Sequence, residues 1–455
     1  MDAPRRLAPA ASVPLVVDLD DALLRSNLLY ESVLALLKRA PLLLFLLPWW
    51  RSGGRARLLY EIAQRVELDT STMPLNLPLL DHLRAQRTAG RRLVMVSTSH
   101  RKYADQIATQ LGLFDEVIAS ETTSGGEKLA ALRARFPRGF DYAGSGERNV
   151  ASLSPPEPSF GRERATVGDY LRALRVHQWL KNLLVFVPLI TALQFTDTAA
   201  LANLVIAFVA FSLCASSVYV LNDLVDLGDD RQHPRKCERP FACGALSIAQ
   251  GFGLVGVLLA ASIAVALLLP WAFLAVLAGY YALTLAYSFG LKRAEILDIL
   301  ALALLYTIRI VAGGAAAGIT LSFWLLAFSM FLFLSLALAK RCAELSVMRE
   351  RGQERAPGRA YRVHDLPLLH ALGAGAGYIA VLVLALYLTS GAVQRAYTVP
   401  GLLWVFCPML LYWITRTWLM THRGEMHDDP VVFAARDRGS QVLAVLGAAV
   451  IWFAV

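Results

Sequence analysis

The stretch Asn222-Asp223-Leu224-Val225-Asp226-Leu227-Gly228-Asp229-Asp230-Arg231-Gln232-His233-Pro234-Arg235-Lys236-Cys237-Glu238-Arg239-Pro240 decides how the rest of the chain is read. It follows a strongly apolar run, Leu201 to Leu221. On a continuing helix Asp223, Asp226 and Asp230 stand at i, i+3 and i+7, so their carboxylates share one face at a membrane boundary. A carboxylate set without His or thiolate partners suits a hard divalent cation. Mg2+ is typically held by one or two carboxylates, its other positions going to water and substrate phosphates. Basic residues come next: Arg231, Arg235, Lys236 and Arg239. Arginine binds phosphate as a bidentate fork and lysine as a point charge, so acid followed by base fits a diphosphate bridged by metal at one end. The competing reading, a solvated mixed-charge loop after a transmembrane helix, does not account for the regular aspartate spacing.

The pattern Asn222-Asp223-x-x-Asp226-x-x-x-Asp230 resembles the first aspartate motif of the UbiA superfamily of intramembrane prenyltransferases. Its continuation, Asp230-Arg231-x-His233-Pro234-x-Lys236-x-x-Arg239-Pro240, is similar to the branch that includes decaprenyl-phosphate phosphoribosyltransferase. The resemblance implies Mg2+ on Asp223, Asp226 and Asp230, with Asn222 beside them. It further implies phosphoribosyl diphosphate and a polyprenyl phosphate lipid as substrates, with His233 among the substrate-binding residues. The alternative within the superfamily is transfer of an isoprenoid from its diphosphate to an aromatic or other small acceptor.

Hydrophobic residues make up 56% of the 455 and charged ones 17%, and the mean hydropathy is +0.50. That composition fits a polytopic membrane protein. Residues 1–165 have a soluble domain's mixture. The apolar segments begin near Trp179 and recur at about 179–196, 199–221, 249–269, 271–289, 296–317, 322–339, 371–391, 399–418 and 440–455, about nine helices of spanning length. Basic residues fill alternate connections. The net charge of +9 is therefore read as a positive-inside signal rather than a nucleic-acid surface, with the N-terminal domain and the aspartate motif in the cytoplasm, at the inner membrane. The C-terminus is expected outside. The five scattered cysteines are expected as free thiols, and Met1 to Ser12 carries no signal-peptide pattern. The expected fold is a polytopic all-α membrane bundle over 166–455 joined by a proline-rich linker, 151–165, to a soluble α/β domain over 1–150. A homo-oligomer is left open.

In the front part, Leu15-Val16-Val17-Asp18 and Leu93-Val94-Met95-Val96 read as buried strands ending in polar loops, with helical segments between. This resembles the haloacid dehalogenase-like phosphatases. The resemblance makes Asp18 the nucleophile, Asp20 the acid/base, Thr98 a phosphate-binding hydroxyl and Lys128 the balancing cation. Where that family expects acidic Mg2+ ligands, this chain has Ser145 and Asn149, so a degenerate phosphatase or a docking module fits as well as an active one. Val33 to Trp50 is apolar but broken by Lys38, Arg39, Pro41 and Pro48. It is too short to span and reads equally as a cap against the membrane interface or a plain buried cap helix.

Before the first apolar run, Arg175-Val176-His177-Gln178-Trp179-Leu180-Lys181-Asn182 reads either as an interfacial anchor or, with Lys181 and Asn182 facing a polar site, as the start of the phosphoribosyltransferase branch. Superfamily members that take a prenyl diphosphate carry a second aspartate pair near Tyr287 to Asp298. Here Tyr287, Lys292 and a single Asp298 stand there, which fits a lipid monophosphate. Arg309 lies mid-helix, at a depth where an ionisable group is costly and usually faces a polar interior or a buried acid. Lys340 and Arg341 end another span, where snorkelling explains them as well as a site does.

Overall fold

The computed structural model describes residues 13–119, 125–137, 139–144, 165–233, 235–354, 360–426 and 430–455. Ser145, Asn149, Pro234, the side chain of Lys128 and nearly all of the expected linker lie outside the described residues. Packing divides the chain into two units. The first comprises Met1–Leu174 and Tyr219–Val255, the second Arg175–Val218 and Gly256–Val455. The aspartate stretch thus groups with the front residues, and the division falls inside two long helices, Thr198–Val225 and Ile248–Ala266.

In the first unit, strands β1 (Leu15–Asp18), β2 (Leu93–Ser97), β3 (Glu116–Ala119) and β4 (Asp141–Ala143) form a parallel sheet in the order β3-β2-β1-β4. Parallel strands are covered on both faces, which is why Leu15 to Val17 and Leu93 to Val96 are unbroken apolar runs. Leu15, Val17, Leu93 and Met95 pack with Leu79, Leu83, Tyr103 and Ile107. Val16, Val94 and Val96 pack with Leu132 and Phe140. The register Asp18↔Val96 brings the carboxyl ends of β1 and β2 side by side.

Seven helices among the described residues are long and apolar enough to cross a membrane: Thr198–Val225, Ile248–Ala266, Trp271–Phe289, Leu297–Ala317, Phe323–Glu350, Val363–Leu388 and Pro400–His422. Two of the nine expected spans are shorter. Over 179–196 the chain forms a 3-10 helix, Val176–Phe186, followed by a short α-helix, Val187–Thr191. Pro188 has no N–H to continue the preceding turn. At the other end, Arg438–Ala454 has 17 residues, at the lower limit of the ~17–25 that span a bilayer core. In the second unit the 3-10 segment lies close against Leu297–Ala317 at Gly313, where an added Cβ would collide with the Val185 carbonyl oxygen. Only glycine allows this approach.

Candidate active site

The helix carrying Asp223 ends at Val225, Asp226 is the N-cap residue of a short second helix, Leu227–Gln232, and that helix carries Asp230. Helical hydrogen bonds bridge the break, Asp226 N–H to Asn222 O at 2.8 Å and Asp230 N–H to Asp226 O at 2.9 Å. The continuous helix expected is therefore interrupted at Asp226. Asparagine, aspartate and glycine are poor helix formers, and acids at a helix C-terminus oppose its dipole. Asp223 and Asp230 are nonetheless both buried and converge on one cation. Arg239 Nη1 donates to Asp223 Oδ1 at 3.1 Å and to Asp230 Oδ2 at 2.5 Å. Burial pushes the Asp230 carboxyl above its ordinary range, against the pull of Arg239.

Among the described residues no three His, Cys, Asp or Glu groups are placed to share one ion. Two buried carboxylates meeting at a guanidinium are still an all-oxygen pair drawn to a positive charge. That donor set fits Mg2+ completed by phosphate oxygens and water. His233 holds the basic loop in shape, its Nδ1 accepting from the backbone N–H groups of Arg235 (3.2 Å) and Lys236 (3.3 Å). The Lys236 side chain is exposed. Arg231 turns the other way, and its buried guanidinium forks onto Glu31 at 2.5 and 3.3 Å.

In the second unit Asn182 and Lys181 are buried. Asn182 Nδ2 donates to Ser212 Oγ at 3.0 Å, and its Oδ1 accepts from Arg309 Nε at 2.9 Å. Arg309 also donates to the Leu305 carbonyl and to Tyr280 Oη (3.3 Å), and lies 5.2 to 5.6 Å from the ring centres of Phe211, Tyr280 and Tyr306. Its hydrogen-bond partners are neutral, so the buried-acid pairing is not what holds it. Lys181 Nζ lies 5.7 Å from the Tyr306 ring centre. A second polar cluster surrounds the fully buried Asp298. Arg341 Nε sits 2.6 Å from Asp298 Oδ2, Tyr287 Oη donates to Asp298 Oδ1 at 2.8 Å, and Arg341 also contacts Glu344. Arg341 is thus buried in an ion pair rather than snorkelling to an interface. Lys292 lies on the 3-10 turn Leu291–Arg293 between these elements.

At the carboxyl ends of β1 and β2, Asp20 accepts from Ser97 Oγ (2.9 Å), Thr98 N–H (2.8 Å), Thr98 Oγ1 (3.2 Å) and Ser99 Oγ (2.6 Å). Asp18 Oδ1 caps the following turn, and Tyr142 Oη donates to Asp18 Oδ2 at 2.6 Å. The predicted Asp18, Asp20 and Thr98 are therefore brought together.

Sequence reasoning missed Glu31, Tyr142, Ser212, Tyr280 and Tyr306. Ser212 and Ser216 signal themselves by four-residue spacing on an apolar helix, one bonded to Asn182 and the other to Trp179 Nε1 at 2.9 Å. Glu31 and Tyr142 carry no comparable local sign.

Several spanning-length apolar helices carrying buried polar groups define a multi-pass membrane protein. The UbiA prenyltransferase family matches residues 183–436, and the chain belongs to that family, as a membrane transferase. It is 36% identical over 466 residues to the uncharacterized protein y4nM of Sinorhizobium fredii, covering 95% of this chain and 89% of that one. It is 39% identical over 202 residues to the decaprenyl-phosphate phosphoribosyltransferase of Mycolicibacterium smegmatis, covering 43% of this chain and 63% of that enzyme, less than two thirds of its length. A solved UbiA homolog from Archaeoglobus fulgidus, bound to GPP and Mg2+, shares the fold with a TM-score of 0.50 at 19% identity, covering 62% of this chain and 99% of that one.

Proposed function

We propose that the chain transfers 5-phosphoribose from phosphoribosyl diphosphate to a polyprenyl phosphate, with the aspartate stretch and front domain on the cytoplasmic side of the inner membrane. The observation that carries this reading is the engagement of Asp298. Asp298, the one aspartate standing where prenyl-diphosphate enzymes have a second aspartate pair, is fully buried and bound by Arg341 and Tyr287. In this reading the Asp223 and Asp230 pair serves as the carboxylate platform for a single diphosphate. The partial likeness to the M. smegmatis enzyme supports the same substrate pair.

In this reading Mg2+ would be held by carboxylates of the motif Asp223, Asp226 and Asp230, the first and last of which converge in the structure, and would supply charge neutralisation at the diphosphate. Arg239, which lies between two of those carboxylates, would supply positive charge to the phosphate oxygens. Lys236 and Arg235 add positive charge on a loop that His233 keeps in shape. A lipid phosphate oxygen attacks the anomeric carbon, the bond from that carbon to the diphosphate oxygen breaks, and diphosphate leaves. An anionic nucleophile needs no strong base, so the chain's task is orientation and stabilisation of the developing charge. Lys181, Asn182, Lys292 and Arg309 serve the phosphates on the bundle side. The product retains its 5-phosphate. The front domain, read as haloacid dehalogenase-like over 1–150, is a degenerate phosphatase for that group, with Asp18 and Asp20 at its centre.

The test is a transfer assay on purified protein in detergent with Mg2+, labelled phosphoribosyl diphosphate and a polyprenyl phosphate. Label is expected in the lipid, lost in Asp223→Asn. Turnover of a prenyl diphosphate with an aromatic acceptor, without lipid labelling, would overturn the reading and leave the isoprenoid-transfer alternative.

A further inference from the structure

Residues 40–52 of the first unit place adjacent tryptophans in opposite environments. Trp50 is 2% exposed and packs with Leu36, Leu58, Ile62 and Val66, fixing the segment to the domain. Its neighbour Trp49 is 60% exposed, and Phe45 and Leu42, on the preceding 3-10 helix Pro41–Leu46, are 82% and 77% exposed. Large apolar side chains projecting together from a well-anchored segment mark an interaction surface. Its surroundings are basic. Over residues 28–60 the bases are Lys38, Arg39, Arg51, Arg55 and Arg57, and the one acid, Glu31, is buried against Arg231. Arg39, Arg51 and Arg57 are exposed, and the Arg57 guanidinium lies 4.7 Å over the Trp49 ring. An exposed aromatic and aliphatic tip with an arginine on its tryptophan and further exposed arginines on the flanking residues matches the boundary between acyl chains and anionic headgroups.

Within the same unit, this surface lies near a place where the chain leaves the bilayer. Lys38, just before the 3-10 helix, has its Nζ 3.9 Å from Asp229 Oδ2, four residues beyond the end of the Thr198–Val225 spanning helix. The backbone at Gly244, following the aspartate loop with a φ of +78°, approaches Arg25 so closely that an added Cβ would stand 2.7 Å from the Arg25 Cβ. A tip tied to the mouth of a spanning helix has a lipid surface within reach by construction. We propose that Leu42, Phe45 and Trp49 insert into the headgroup region of the membrane that the chain itself spans, and that Arg39, Arg51 and Arg57 select anionic phospholipid there.

The full-length protein in nanodiscs tests this with a photo-reactive benzoylphenylalanine placed singly at Leu42, Phe45 or Trp49, and at the exposed Arg84 as control. Mass spectrometry should find phospholipid adducts at the first three positions and none at Arg84. The adducts should increase severalfold when phosphatidylglycerol is mixed into phosphatidylcholine discs, and that increase should vanish in an Arg39→Gln, Arg51→Gln, Arg57→Gln background while the basal adduct persists. Adducts to peptides of this chain or of a second copy would overturn the proposal in favour of a protein interface. Absence of lipid adducts at all three positions, with normal size-exclusion profiles, would overturn it outright.

Discussion

Glu31 and Arg231 are 200 positions apart and meet with side chains only 8% and 7% exposed. Glu31 also accepts from Ser26 Oγ. Replacing Glu31 by Met would leave the Arg231 guanidinium buried without its counter-charge, a perturbation of about 3–5 kcal/mol for a buried pair. Arg231 sits on the short Leu227–Gln232 helix, so the cost falls on the element that holds Asp230. At about 1.4 kcal/mol per tenfold, loss of even the lower value raises local opening by about 100-fold. Hydrogen exchange of the 227–232 amides in detergent measures this directly, with the β1 amides as internal reference for global unfolding. Glu31→Met and Arg231→Met should each accelerate exchange in 227–232 while β1 stays protected. The double variant should recover most of the loss, because two apolar side chains replace a charge pair with little penalty. Unchanged exchange in the single variants, or a double variant as labile as their sum, would refute the claim that this pair holds the aspartate helix.

Arg239→Gln removes the guanidinium that joins Asp223 and Asp230. Added Mg2+ should then raise the thermal midpoint more in the variant than in the parent, as ligand-linked stabilisation requires. Arg341→Met removes the counter-charge of a fully buried Asp298 and should lower the thermal midpoint in detergent by several degrees, with Asp298→Leu restoring part of it. Gly313→Ala drives a methyl into the Val185 carbonyl and should cost about 1–3 kcal/mol, read as a lowered midpoint with the 176–186 amides exchanging faster. The Arg416 hydrogen bond holds the Asp437 carboxyl down at about 2. Its folded-state value lies below the unfolded one, so its contribution is complete above about pH 4 and fades as the pH falls towards 2. Asp437→Asn should flatten that acid-side loss in a midpoint-versus-pH series.

What was legible in the sequence was what neighbours in the chain dictate. Unbroken valine and leucine runs gave the buried parallel strands, and long apolar segments gave seven spans, because both depend on period and length alone. The convergence of Asp223 and Asp230 was legible from spacing, although the helix breaks between them. Apolar content alone did not show the 3-10 turn of Val176–Phe186 ahead of Pro188, nor that the last apolar helix has only 17 residues. Nor could spacing tell Trp49 from Trp50, since which of two adjacent indoles turns inward depends on Ile62 and Val66 rather than on the dipeptide.

Cations were the hardest residues to read. A basic residue near an acidic motif looks like a phosphate ligand until its partner is known. In the first unit Arg231 is spent on Glu31 and Arg239 on the motif's own carboxylates, while Arg235 and Lys236 keep exposed side chains on a loop shaped by His233. In the second, Arg341 neutralises Asp298, whereas Arg309 is held by an amide, a carbonyl and aromatic faces that leave its charge uncompensated by those partners. A guanidinium bound only by neutral groups in a low-dielectric interior attracts an anion far more strongly than one already paired. On the proposed function, Arg309→Gln should therefore weaken binding of an anionic substrate, where Arg341→Met chiefly destabilises the fold.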